Sequence, residues 1–259
     1  MPVECKAKNG RPIKLYTFYN RDFTRLKERF LGTIKDDYEV ICRQEDLDIG
    51  HGAWCGGEAV WLFKTQFVID AIKGNPEDVI LVSDIDIQFF KPTQEIVLKA
   101  IAMQDIVFQR NAPVDVGKIN IGFMAIRCND RCLAMFEWVL AKIIETKQHD
   151  QRLVAAYLRD FPGRIHPGLF PHSIFNYNPR RADHGLARGI ALHHAIWART
   201  EEDKLKQMEE IRLRVKGSMF SFYVWKIKKM PSSGARALMD IIKSAIRKVL
   251  PGIAKPGHA

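Results

Sequence analysis

Ile80, Leu81 and Val82 form a short apolar run of high β propensity, bounded upstream by Asn75-Pro76 and ending in Ser83-Asp84-Ile85-Asp86. The run is too short for a helix and has no polar alternation. It therefore reads as a strand buried on both faces, as in parallel sheets covered by helices on each side. That points to an α/β fold, and it places Asp84 and Asp86 where the strand leaves the core. The carboxyl edge is where open α/β sheets bind ligands. If the backbone stays extended through Asp86, the two carboxylates project to the same side. Two oxygen ligands on one face suit a hard divalent cation bridging to substrate phosphates. Most Asp-x-Asp pairs are solvated loop residues. Here Ile85, Ile87, Phe89 and Phe90 continue the apolar stretch, and charges so flanked are costly without a partner.

The rest of the chain alternates strand and helix patterns, which argues for a mainly parallel sheet. Strands are expected at Ile13 to Tyr19, Glu39 to Cys42, Asp105 to Gln109, Asn120 to Arg127 and Ile190 to His193. Helices are expected at Asp22 to Lys35, Glu58 to Lys73, Thr93 to about Met103, Asn129 or Asp130 to Thr146, and Asp150 to Leu158. The helix from Glu58 is apolar almost all round, hence buried. Thr93 reads as a helix cap. Gly50 to Gly57 reads as a flexible turn, and Pro162 to Pro179 as loop and short strand.

Composition fits a soluble enzyme: 259 residues, 47% hydrophobic and 27% charged, suffice for one large core. The cysteines Cys5, Cys42, Cys55, Cys128 and Cys132 have neither framework nor zinc spacing and read as reduced thiols in the cytoplasm. The first residues lack the apolar core of a signal peptide, and no run reaches the ~18 apolar residues of a spanning helix. The net charge of +10 is uneven. Residues 1–203 hold 27 basic and 27 acidic residues, whereas 204–259 hold 13 and 3. A neutral body with a basic tail, interleaved with Phe220, Phe222, Tyr223 and Trp225, argues against nucleic acid, which favours a basic groove across the fold. It suits peripheral contact with an anionic membrane, or a packed helix with a solvated basic face.

Ser83-Asp84-Ile85-Asp86-Ile87-Gln88-Phe89-Phe90-Lys91-Pro92 resembles the Asp-x-Asp block of the GT-A glycosyltransferases, in particular the nucleotide-diphospho-sugar transferase family. Three further segments match in order: Lys118 to Phe123 (KINIGF), His149-Asp150-Gln151, and His193-His194-Ala195-Ile196-Trp197, with Ile196 where the family has Asn. The resemblance spans residues 13 to about 206. It implies a single GT-A-like α/β domain over 1–206 with a mainly parallel central sheet, followed by a basic helical extension over 207–259. It also implies a Mn2+ (or Mg2+) site of Asp84, Asp86 and His194, with His194 preferred to His193 by its spacing to Trp197 and Asp84 also reaching the ribose. Thr17 and Tyr19 would meet the nucleotide base. Asn120 and Gly122 would belong to the substrate-binding strand, with Asn120 on the donor sugar. Asp150 and Gln151 would be the catalytic pair, Asp150 on sugar hydroxyls and Gln151 under the anomeric carbon. Lys204, or Lys206, would meet the diphosphate.

Read without the resemblance, each of these has an ordinary alternative. Gly122 is a bulge or a close backbone approach, Asp150-Gln151 a helix cap, His194 a satisfied core histidine on a strand end, and Thr17 and Tyr19 plain strand residues. The function expected is retaining transfer of a sugar from a nucleotide-diphosphate donor, with uridine the family's commonest base, to a hydroxyl of a cell-envelope glycan or glycolipid. The alternatives are a metal-dependent phosphohydrolase or nucleotidyltransferase, although no Gly-rich phosphate loop follows Tyr19, and a non-catalytic binding protein on a degenerate enzyme fold.

Overall fold

The computed structural model describes residues 12–47, 57–110, 119–177, 189–196 and 198–216. The expected turn at 50–57 lies almost wholly outside them, as do Lys118, Trp197 and the basic tail from 217.

The first strand, β1 (Lys14–Tyr19), leads through a 3-10 turn (Arg21–Phe23) into α1 (Thr24–Thr33), then β2 (Glu39–Gln44) and α2 (Gly57–Lys73). Next come β3 (Val79–Ser83), β4 (Ile87–Phe89), α3 (Gln94–Ile101), β5 (Ile106–Arg110), β6 (Ile119–Arg127) and α4 (Asp130–Thr146). The described chain closes with α5 (Asp150–Asp160), β7 (Pro167–Leu169), β8 (Ile174–Tyr177), β9 (Leu192–Ala195) and α6 (Glu201–Lys216). By compactness the chain divides into two units, 1–209 and 210–259; of the second, only 210–216, the end of α6, are described.

The central sheet has the order β2-β1-β3-β6-β5-β7. Only β6 runs against the others, pairing antiparallel with both β3 and β5, so the sheet is mainly parallel as expected. β3 is central and buried on both faces. Ile80 and Val82 join one cluster with Val68 and Ile72 of α2, Phe136 and Val139 of α4, and Val154 of α5. Leu81, between them, joins the opposite cluster with Leu26 and Phe30 of α1 and Val97 and Ile101 of α3. Each of the three is at most 2% exposed, so each contributes about 1.5–3 kcal/mol through burial alone. The unbroken apolar run is the consequence of having a helical layer on each side.

A small second sheet, β4-β9-β8, was not expected as such. β4 is only three residues, Ile87-Gln88-Phe89, and its antiparallel partner β9 lies over a hundred residues away in sequence, so no local pattern announces it. β9 begins at Leu192 rather than Ile190 and carries His194 within the strand, a correction to its expected place at the strand's end. The stretch 162–179 holds two strands, β7 and β8.

Two caps differ in their fit to expectation. Asn129 caps α4 by accepting from Cys132 N. Thr93 occupies the cap position of α3 without capping it. Asp36 does that work from another segment, with its carboxylate accepting from Thr93 N at 2.6 Å and Gln94 N at 3.1 Å. Two backbone donors that helix geometry leaves open are thereby satisfied by a charge favourable at a helix N-terminus.

A carboxylate–imidazole cluster at the edge of the central sheet

Asp84 and Asp86 converge, but not by strand alternation. β3 stops at Ser83, and Ile85-Asp86 form a turn into β4, which corrects the extended geometry expected of the pair. The turn is pinned at both ends. Asp84 N donates to Gly122 O at 2.7 Å, and Ala195 N donates to Asp86 O at 2.9 Å. The carboxylates therefore sit where the two sheets meet, and β9 brings His194 between them. His194 Nε2 lies 3.6 Å from Asp84 Oδ2 and 3.2 Å from Asp86 Oδ1, and one ligand atom from each residue falls within 4.8 Å of the other two. Oxygen ligands at adjacent corners of an octahedron around a small divalent ion, bonded at about 2.1 Å, are about 3 Å apart. The separations and the donor set of two carboxylates and an imidazole fit Mn2+ or Mg2+, and any divalent ion would be held by these three.

The two adjacent histidines of β9 face different ways. Side chains alternate along it, so His194 faces Asp84 and Asp86 while His193 faces Gln88, whose Nε2 is 3.1 Å from His193 Nδ1. Burial lowers His193 to about 3, which keeps it neutral.

The outer oxygen of each carboxylate meets a lysine. Lys64 Nζ of α2 is 2.5 Å from Asp84 Oδ1, and Lys204 Nζ of α6 pairs with Asp86 Oδ2 and lies 3.4 Å from Ala195 O. Burial alone would raise the Asp86 carboxyl, yet the charge of Lys204 and the hydrogen bond from His194 help to outweigh it and hold it well below the usual carboxylate range. Burial likewise opposes the charge on Lys64, but Asp84, Asp150 and Asp86 together raise its pKa. Each carboxylate is thus anchored on one side and open toward His194 on the other. Lys204 lies in the first turn of α6, whereas Lys206 is exposed. Lys64 was missed by the sequence reading. The available signal was a lysine inside an otherwise apolar helix, at a position only 8% exposed.

Gly122 has a steric reason. A Cβ there would lie 2.1 Å from His194 Cε1, 2.7 Å from His194 Nδ1 and 2.8 Å from Asp84 Oδ2. Only a residue without a side chain lets β6 pass so close behind the cluster. Asn120, two residues earlier, folds its Oδ1 back onto Gly122 N at 2.8 Å. The register between β5 and β6 shifts between Phe108 and Gln109, and Gln109 Oε1 comes to lie 2.9 Å from His194 Nδ1. Gln109 carries no sequence signal, since it continues the apolar strand Ile106 to Phe108.

Asp150 and Gln151 open α5 beside this cluster. Gln151 N is shared between Asp150 Oδ1 at 2.7 Å and His149 Nδ1 at 3.1 Å, so the capping alternative is realised in part. Asp150 is 4% exposed, and its charge acts on Lys64, while Gln151 Oε1 accepts from Ile121 N at 3.3 Å. Trp61 of α2, one turn before Lys64, packs on the His149 ring at 5.0 Å between centroids. On β1, Thr17 is fully buried with its hydroxyl lacking a hydrogen-bond partner among the described residues. Tyr19 donates its hydroxyl to Gln44 Oε1 at 3.0 Å, and Lys27 stands 5.5 Å from its ring centroid. The structure thus brings together Asp84, Asp86, His194, Gly122 and Lys204 directly. It ties Asn120 to them through Gly122, Gln151 through Ile121 and Asp150 through the field on Lys64, and leaves Thr17 and Tyr19 on the neighbouring strand.

Residues 78–208 match the family model described as nucleotide-diphospho-sugar transferase, a span of just over half the chain that contains the whole cluster except Lys64. No curated protein matches the sequence significantly. Among solved structures, the chain is similar to a glycosyltransferase involved in the glycosylation of the major capsid of PBCV-1. The TM-score is 0.50 at 14% identity, over 77% of this chain and 100% of that one. It is also similar to the apo-form glycosyltransferase GlyE of Streptococcus pneumoniae TIGR4, with a TM-score of 0.53 at 10% identity, over 84% of this chain and 64% of GlyE. At such identities the likeness speaks for the fold, which is GT-A-like, while the family rests on the sequence match. The chain belongs to the nucleotide-diphospho-sugar transferase family.

Proposed function

We propose that this glycosyltransferase moves a sugar from a nucleoside-diphosphate donor, with uridine the expected base, to a hydroxyl of a glycan or glycolipid acceptor, retaining the anomeric configuration. The observation that carries the reading is the convergence of Asp84, Asp86 and His194 within 4.8 Å at the edge of the central sheet, with two lysines beside them. A divalent ion there, Mn2+ or Mg2+, would act as a Lewis acid toward the leaving diphosphate.

The chain's own residues supply the rest. Lys204 sits close enough to the cluster to place its ammonium on the diphosphate. Asp84, the more open of the two carboxylates with its side chain 30% exposed, is the one able to reach a ribose hydroxyl as well. Asp150 is held by the α5 N-terminus, and with Asn120 it would orient sugar hydroxyls, so their contribution is positional. Thr17 and Tyr19 are assigned to the base; of the two, the half-buried Tyr19 is the one with surface to offer it, whereas Thr17 is fully buried. Gln151 would lie under the anomeric carbon. It is an amide and a weak nucleophile, and its Oε1 already accepts from Ile121 N. That favours assistance of the acceptor by the leaving diphosphate over a covalent glycosyl-enzyme. Catalysis is assigned to residues 1–206. The basic extension over 207–259 would bring the protein to anionic lipid on the cytoplasmic face, where a glycolipid acceptor resides, at about 1 kcal/mol per basic residue near the surface. Among the described residues no helix is long and apolar enough to cross a membrane.

Screening nucleotide sugars with Mn2+ and following the product by proton NMR tests this. An α-linked donor should release nucleoside diphosphate and give an α product. A β product would reject retention. Nucleotide binding without any turnover would support the degenerate binding protein, and hydrolysis of unglycosylated nucleotides the phosphohydrolase.

A further inference from the structure

We infer that Gln109 is the positioning residue that decides which ring nitrogen of His194 carries the proton, and so whether the Nε2 lone pair is free for the cation, an inference that rests on the metal reading above. A neutral imidazole has one N–H and one lone pair. Ligation through Nε2, the atom turned toward Asp84 and Asp86, requires the proton on Nδ1, and that proton needs an acceptor. Gln109 Oε1 stands 2.9 Å from Nδ1, and Gln109 is 0% exposed. The ring cannot rotate to find another acceptor, since its Cε1–Nδ1 edge lies against Gly122 so closely that a Cβ there would be 2.1 Å from Cε1.

The other end of the amide does not fix its orientation. Gln109 Nε2 is buried without a hydrogen-bond partner among the described residues, an arrangement that buried amides ordinarily avoid. Rotating the amide by half a turn would leave Nε2 donating to Nδ1. The ring proton would then sit on Nε2, where Asp86 Oδ1 at 3.2 Å would accept it and the lone pair needed by the cation would be lost. The side chain can serve either tautomer, and its carbonyl-inward orientation is the one that opens His194 to a metal. The shifted register at Phe108/Gln109 is what lets β5 deliver this side chain to the ring.

The test compares wild type, Gln109→Met and Gln109→Glu by titration with Mn2+ alone, read by electron paramagnetic resonance, with circular dichroism confirming the fold. Met keeps the volume and removes the acceptor, so Mn2+ affinity should fall roughly 10–100-fold. Glu is an acceptor only and fixes the proton on Nδ1, so its affinity should stay within about threefold of wild type or exceed it. A role in packing alone predicts the opposite order, with the charged Glu worse than Met, and that order overturns the inference, as does wild-type affinity in Gln109→Met. Should either variant fail to fold, histidine side-chain 15N spectra of the wild type with Mg2+ decide the matter. Nδ1 of His194 must carry the proton, and a proton on Nε2 overturns the inference. A wild type that takes up no Mn2+ instead overturns the metal reading beneath it.

Discussion

Replacing Gly122 by alanine is the sharpest structural perturbation of the site, because one methyl meets two ligands at once. The added Cβ would stand 2.1 Å from His194 Cε1 and 2.8 Å from Asp84 Oδ2. Carbon atoms in contact sit at about 3.5–4.0 Å, so the imidazole has to retreat by roughly 1.4 Å or more. It retreats against Gln109, which is itself buried. β6 cannot yield instead, since it is paired on one side to β3 and on the other to β5. Overpacking of this kind costs about 1–3 kcal/mol. At about 2–4 °C per kcal/mol for a chain of this size, the melting temperature should fall by roughly 2–12 °C. Activity should fall further, because displacing a positioned group by about 1 Å costs about 10²-fold. Calorimetry and initial rates of Mn2+-dependent donor turnover measure the two effects. Gly32→Ala provides the control: it lies in α1, a Cβ there meets nothing within 4 Å, and helix propensity predicts a gain of up to about 1 kcal/mol with unchanged turnover. A Gly122→Ala protein with wild-type melting temperature and turnover would refute the steric reasoning.

Lys64→Met should leave Asp84 without its cation. The loss should approach the lower end, about 3 kcal/mol, of the range for breaking a buried pair, because the Asp84 side chain is 30% exposed; added Mn2+ should restore part of it in a thermal shift assay. Asp36→Ala removes the carboxylate that caps α3 and should cost about 0.5–2 kcal/mol in urea unfolding without altering Mn2+ affinity. Asp105 gives a pH signature. Burial raises its carboxyl, but the His166 backbone N–H, Asn129 and Arg131 outweigh it and lower the carboxyl in the folded state. A lowered folded value means the stabilisation is complete above the unfolded pKa, about 3.9, and is lost as pH falls through the folded value. Urea midpoints between pH 2.5 and 7 should therefore show Asp105→Asn less stable at neutral pH and losing less than wild type below pH 4.

The architecture was legible in the sequence wherever it depended on local pattern. The run Ile80-Leu81-Val82 announced a strand covered on both faces, and alternating strand and helix signals gave the mainly parallel sheet. The order of motifs gave the three-residue cluster. What was not legible depended on distant partners. β4 exists because Leu192–Ala195 pairs with it, and three residues of apolar sequence carry no sign of that. Thr93 has the residue type of a helix cap, yet Asp36 wins the helix N-terminus because its two oxygens reach two amides at once. The convergence of Asp84 and Asp86 was expected for the wrong reason, a period-two strand, where the chain uses a turn tied to β6 and β9. Gly122 was legible as an oddity in an apolar strand, but its cause, the His194 ring behind it, required the fold. Gln109 is visible only once β5 is placed against the cluster, and Lys64 shows in the sequence as no more than a lysine inside an apolar helix.

In the proposed function Asp84, Asp86 and His194 hold the cation through which the donor's diphosphate binds. Calorimetric titration of UDP into the wild type, with Mn2+ and again with chelator, and into Asp86→Asn tests it most directly. Asparagine keeps the shape of Asp86 and removes its charge. Binding to wild type should weaken at least tenfold in chelator, and an Asp86→Asn protein that remains folded should show no Mn2+ dependence. UDP binding of equal strength with Mn2+ and with chelator, or an Mn2+ dependence that survives in Asp86→Asn, would contradict it.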